Sequence, residues 1–147
     1  MANKPYIAIN WNSIEDMLDK LTWEKLTEQF WLDTRIPLSN DLDDWRTLSK
    51  AEQDMLGKVF GGLTLLDTLQ SQDGIAAMKE DMRTQHEEAV LNNIQFMESV
   101  HAQSYSSIFS TFYTKAEIED IFNWTNSNEF IQRQASLIND LYQSSNQ

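Results

Sequence analysis

The chain contains no cysteine. Disulfides, zinc–thiolate sites and thiol catalysis within it are therefore excluded, and the lack of disulfides agrees with a reducing cytoplasm. Turn formers are scarce, with 4 Gly and 2 Pro in 147 residues. So few breaks argue for long helices. Basic residues are few as well: 11 Lys and Arg stand against 23 Asp and Glu, a net charge of −12. That balance disfavours nonspecific binding to nucleic acid or to an anionic membrane, and part of the acid excess could serve cations. The opening Met1-Ala-Asn-Lys-Pro-Tyr holds no long apolar run, so neither a signal peptide nor a membrane span is expected. What is present suits one domain with a real core, at 41% hydrophobic and 23% charged residues. There is no internal repeat, no low-complexity stretch and no sustained period-2 alternation. The expected fold is all-α.

Residues 1–12 read as an extended arm with exposed-looking Tyr6 and Trp11. Ser13 is a candidate cap for a short helix, with Asp16 at N3 and Ile14, Met17, Leu18 and Leu21 on one side. Thr22 is a candidate start for a second, carrying Trp23, Leu26, Phe30 and Trp31. Asp33 to Thr47 reads as a loop. Ser49 with Glu52 forms a capping box for a strong helix, whose apolar row Leu56, Phe60 and Leu63 ends on Asp67. Gly61-Gly62 within it predicts a close packing contact, and Ser71-Gln72-Asp73-Gly74 predicts its stop. Thr84 with Glu87 is another capping box, opening a helix of about 45 Å that reaches Tyr113. Thr114 with Glu117 opens the next helix. A last one carries Ile131, Ala135, Ile138 and Tyr142, before the polar ending Gln143-Ser-Ser-Asn-Gln.

The long helix carries the chemistry. Its stripe reads Leu91, Ile94, Glu98, His101, Tyr105, Ile108, Phe112, spaced alternately by three and four residues. Such a row faces one way, toward a core or another helix. Its middle holds a carboxylate, an imidazole and a phenol where leucines would have served. A bare carboxylate there costs several kcal/mol unless a partner neutralises it. Glu98 and His101 leave the same helix face and can grip one cation. Asp67 sits on the buried stripe of a different long helix, and small residues nearby permit close approach. One reading is a buried hydrogen-bond network of Asp67, Glu98, His101 and Tyr105. It would leave two carboxylates sharing one imidazole. The other is a metal site, which resolves that imbalance more simply. Carboxylate oxygens with one imidazole suit iron or manganese. His86-Glu87-Glu88 lies in the first helical turn and reads as a solvated capping cluster, and Trp31 reads as a core aromatic.

These residues resemble one family. Phe30-Trp31-Leu32, Pro37-Leu38-Ser39-Asn40-Asp41, Trp45, Leu63-Thr64-Leu65-Leu66-Asp67-Thr68 and the block from His86 to Ser110 are similar to the N-terminal half of the ribonucleotide reductase small subunit, class Ib type. The resemblance runs from about Ala8 to about Tyr142, and it treats 1–147 as half of one helical domain. It implies part of a ferritin-like bundle with a carboxylate-bridged dinuclear iron or manganese site. Asp67, Glu98 and His101 would then be metal ligands, with Glu98 bridging. Tyr105 would carry a stable tyrosyl radical, and Trp31 would lie on the path taking the radical to the large catalytic subunit. The implied activity is reduction of ribonucleotides to deoxyribonucleotides in the cytoplasm. A flavodoxin-like protein would activate a manganese form, and the assembly would be dimeric.

The chain departs from that pattern by ending early. A carboxylate-bridged bundle draws ligands from four helices, yet no histidine follows His101. The expectation is a complementary C-terminal-half chain carrying the remaining ligands. The alternatives are a truncated product, or two copies supplying a ligand set by symmetry. A different class of function stays open beside these, a ferritin-like metal-binding or oxidase protein without a radical. The apolar stripes at 56–67, 91–112 and 131–142 have too few partners in this chain, so it should expose apolar surface when alone.

Overall fold

The computed structural model describes residues 5–144. Residues 1–4 of the expected arm and 145–147 of the polar ending lie outside them. Among the described residues there are helices and no strands, as the periodicity predicts. None of these helices is long and apolar enough to cross a membrane.

Helix α1 spans Met17–Glu28. It is one helix where the sequence suggested two. Asp16, in extended backbone, accepts from the Leu18 N–H at 2.9 Å and caps it, so the start falls three residues after Ser13. With that cap in place the helix runs straight through Thr22, and Phe30 and Trp31 lie beyond its end. Its apolar side is not the packed side. Met17, Leu18 and Leu21 are exposed, whereas Asp19 is buried and accepts from the Thr84 hydroxyl at 3.2 Å.

The expected loop at 33–47 is more ordered than a loop. Two 3₁₀ turns, Asp33–Arg35 and Leu38–Asp41, lead into helix α2, Leu42–Thr47. Asp43 and Asp44 in its first turn suit the positive end of the helix dipole. Trp45 anchors it, with its ring 5.0 Å from Phe112 and 4.9 Å from Tyr113.

Helix α3, Lys50–Leu69, starts on the predicted capping box: the Ser49 N–H donates to Glu52 at 2.7 Å, and the Glu52 N–H to the Ser49 hydroxyl at 3.3 Å. The predicted close contact is real at Gly61, where a Cβ would lie 2.4 Å from the Thr125 hydroxyl. The predicted stop at 71–74 is not a stop. A π turn over Gln70–Gly74 passes directly into helix α4, Ile75–Glu80. Burial explains the continuation, because Ile75 and Ala77 are core residues and Ser71 is buried against the long helix.

That long helix is α5, Gln85–Phe112. Thr84 caps it by accepting from the Glu87 N–H at 3.0 Å. The reciprocal half of the expected box is diverted: the Glu87 carboxylate takes the Arg83 N–H at 2.8 Å instead. Helix α6, Lys115–Ser127, opens on a Thr114–Glu117 box, and helix α7 covers Glu129–Ser144.

Helices α3 and α5 run antiparallel. Phe60 meets Tyr105 and Phe109 near one end, and Ser71 meets Gln95 and Ser99 at the other. An aromatic core cluster lies at the first end. Phe109, Tyr113 and Ile121 are buried there, packed by Trp45, Phe60, Tyr105, Phe112, Ile118 and Phe122. The Tyr113 hydroxyl reaches the Gln53 carbonyl at 2.7 Å, so its polar tip is satisfied.

Candidate metal centre

Between the two ends, Asp67 on α3 faces Glu98 and His101 on α5. The His101 Nδ1 lies 3.0 Å from a Glu98 oxygen and 3.9 Å from an Asp67 oxygen. One ligand atom from each of the three falls within 4.8 Å of the others. Helical spacing supplies the Glu98–His101 half, and the antiparallel crossing of α3 supplies Asp67.

The charges do not balance by themselves. Burial and the Glu98 carboxylate push the Asp67 carboxyl above the usual carboxylate range, against the pull of His101 and a hydrogen-bonding interaction with Tyr105. Two acids sharing one imidazole leave one negative charge uncompensated, which a cation would absorb. Two hard oxygen ligands and one nitrogen, all half-buried, fit iron or manganese. The donors all come from two helices, and His101 retains 36% side-chain exposure.

Tyr105 lies one turn beyond His101, beside Asp67. Burial, then the Asp67 charge, raises its phenol above the ordinary value and holds it protonated. Phe60 covers its ring at 5.9 Å between centroids. Trp31 also comes to this site, a placement that helical periodicity could not have assigned. Its ring stacks on His101 at 5.6 Å and 26°. The extended strap carrying it is pinned along α5: Phe30 stacks on Phe96 at 6.1 Å, and the Ser107 hydroxyl donates to Asp33 at 2.6 Å.

His86 does not belong to this site, and it is not solvated as the sequence suggested. It is 6% exposed. The arm folds back over the start of α5, placing the Asn10 carbonyl 3.1 Å from Nε2 and the Trp11 ring edge-on at 4.7 Å. Trp11 is accordingly half-buried, while Tyr6 is exposed as expected. One neighbour of the site escaped the sequence reading. Tyr142 reads there as an apolar stripe member, yet its hydroxyl donates to the Gln70 side chain, one turn past Asp67. A phenol on an apolar row was the available signal.

Comparison with known proteins agrees with this architecture. Residues 8–147 match the family described as ribonucleotide reductase, small chain. The chain is 56% identical over 135 residues to the ribonucleoside-diphosphate reductase subunit beta nrdF1 of Mycobacterium tuberculosis, covering 92% of this chain and 42% of that protein. It is 50% identical to the ribonucleoside-diphosphate reductase 2 subunit beta of Escherichia coli, with the same coverage. Among solved structures, the dimanganese(II)-NrdF of Streptococcus sanguinis superposes with a TM-score of 0.91 at 72% identity, covering 94% of this chain and 49% of that one. A Clostridium botulinum R2 subunit, at 24% identity and a TM-score of 0.84, shares the fold. The chain thus spans less than half the length of these relatives. The ferritin-like helical architecture and the class Ib resemblance both hold. This chain belongs to the ribonucleotide reductase small-chain family.

Proposed function

We propose that the chain supplies one side of a dinuclear metal site, together with the radical-bearing tyrosine, in the small subunit of a ribonucleoside-diphosphate reductase. The observation that carries this reading is the convergence of Asp67, Glu98 and His101 within 4.8 Å, with Tyr105 one helical turn beyond His101 on α5. Asp67, Glu98 and His101 would hold metal, with Glu98 extending toward the second ion. Manganese is the first choice, since the Streptococcus sanguinis relative is a dimanganese protein, and the same ligands suit iron. When bound, the metal pair supplies the oxidising power for removing an electron from Tyr105.

The chain's own residues do the rest. Tyr105 gives up an electron and its phenolic proton together, and the Asp67 carboxylate beside it is placed to receive that proton. Phe60 and the neighbouring apolar surface keep water and reductants from the ring. Trp31, stacked on His101, provides an aromatic step between the site and the surface strap.

The remaining ligands come from the portion of the relatives' length that this chain does not span. Exposed apolar residues support such a complement. Phe130, Leu137 and Leu141 on α7 are 83%, 61% and 62% exposed, and Met55, Val59 and Leu63 on α3 are also open. The further partners we propose are the large catalytic subunit and, for a manganese form, a flavodoxin-like activating protein, in a dimeric cytoplasmic assembly.

The test is Tyr105→Phe in the completed subunit. The expected result is loss of the radical signal by EPR and of ribonucleotide reduction, with metal content retained. Unchanged reduction would overturn Tyr105 as the radical site; metal uptake with neither a radical signal nor reduction in the unaltered subunit would favour a ferritin-like metal-binding or oxidase protein.

A further inference from the structure

The π turn that follows Asp67 is clamped from both sides. On the α5 side, the Ser71 hydroxyl meets the Gln95 carbonyl at 3.2 Å and the Ser99 hydroxyl at 2.9 Å, and the Gln95 side chain returns a bond to the Ser71 carbonyl at 2.7 Å. On the α7 side, the Tyr142 hydroxyl donates to the Gln70 side-chain oxygen. The Tyr142 ring abuts Gly74. A Cβ there would fall 2.8 Å from two ring atoms, so only glycine admits the ring at this position.

Gln70 is also bound to the ligand-bearing turn. Its backbone N–H donates to the carbonyls of Asp67 and Leu66, and its own carbonyl receives the Ile75 N–H, the wide bond of the π turn. A π insertion interrupts the regular ladder and commonly sits at functional sites. Here it places an interrupted turn next to Asp67. Along the antiparallel α3–α5 pair, Tyr105 lies on the Phe60 side of the carboxylates and Gln70 on the Ser71 side. Two phenols therefore bracket the site, and they differ in their neighbours. Tyr105 lies near the Asp67 carboxylate, whose charge helps raise its phenol. Tyr142 engages a neutral amide, which is too weak a base to take a phenolic proton.

We propose that Tyr142 is a positioning residue for the metal centre, acting through Gln70 and the π turn to hold Asp67 in place. This rests on the metal-site reading above. Burial and the Glu98 charge both keep the Tyr142 phenol protonated, which preserves it as a donor. The latch joins α7 to α3, so docking of the last helix and geometry of the ligand become one event.

The experiment is a manganese(II) titration of the completed subunit, followed by the EPR signal of free and bound ion. Tyr142→Phe keeps the ring on Gly74 and removes only the donor. The expected result is an affinity about 10-fold weaker, in the range for partners that orient metal ligands, with an altered spectrum of the bound ion. Gln70→Met should match it, and the double variant should be no weaker than either single one. If Tyr142→Phe fails to assemble, Gln70→Met carries the test alone. Affinity within about twofold of the unaltered subunit in that variant, or strictly additive losses in the pair, would overturn the latch. Failure of the unaltered subunit to bind manganese or iron would overturn the metal-site reading, and the latch with it.

Discussion

The same two helices, α3 and α5, are built differently around Phe60 and around Asp67. Near Phe60 and Phe109 they meet through rings, the buried phenol of Tyr113 has its hydrogen bond, and glycine lets α6 approach closely. Near Asp67 they meet through carboxylates and an imidazole, part of the surface stays open, and the charges do not cancel. The first end is an aromatic cluster. The second gathers three candidate metal ligands from two helices. Apolar burial resumes past the second, at Ile75, Ala77 and Val90, so the carboxylates and imidazole are a local exception of a kind that a core rejects.

The largest effect that should break this contrast is Phe109→Ala. Phe109 is 1% exposed and touches Phe60, Tyr113 and Phe122. Its truncation should cost about 3–5 kcal/mol, read by urea unfolding of the completed subunit. A loss below about 1 kcal/mol would mean that the aromatic end is not a core.

Gly61→Ala should cost less. The added Cβ would meet the Thr125 hydroxyl at 2.4 Å and Ile121 at 3.0 Å, and overpacking of this kind costs roughly 1–3 kcal/mol. Alanine's better helix propensity returns at most about 1 kcal/mol, so the net change should be destabilising. A stabilised variant would show that α6 can retreat freely.

The smallest effects sharpen the comparison through pH, because the two ends should respond with opposite sign. At the core end, Lys50 and the Thr114 cap lower the Glu117 carboxyl from 4.5 to about 2. Its folded value is depressed, so its contribution is present above the unfolded value and fades as pH falls toward about 2. At the site end, the Asp67 value is raised above 3.8. The metal-free folded form then holds its proton more tightly than the unfolded chain. Stability from this group is greatest below 3.8 and is lost as pH rises through the elevated value. Urea midpoints of the metal-free protein across that range should decline less steeply on the acid side in Glu117→Gln, where Glu52 and Glu87 remain lowered, and less steeply with rising pH in Asp67→Asn. Identical profiles in the two variants would erase the distinction between the ends.

Much of this was legible in the chain. The capping boxes at Ser49 and Thr114 are local, so residue types three apart were enough to place those helix starts. The stripe through Glu98, His101 and Tyr105 was legible because helical geometry alone puts them on one face. The failures share a cause. Ser13 and Thr22 looked like caps, but Asp16 won the competition. His86 looked solvated because nothing local reveals that the arm will cover it. The turn at 71–74 looked like a stop because its residues favour turns, whereas burial of Ser71, Ile75 and Ala77 carries the helix onward.

The sequence by itself determined an all-α chain, the order and phase of its long helices, the family, and the pairing of Glu98 with His101. These depend on contacts within a few residues, or on a pattern shared with relatives. Tertiary structure alone decided which face of α1 is buried, that Trp31 stacks on His101, and that Tyr142 seats on Gln70. Each of those joins groups at least 30 residues apart, whose meeting depends on helix crossing and close packing rather than on any local preference.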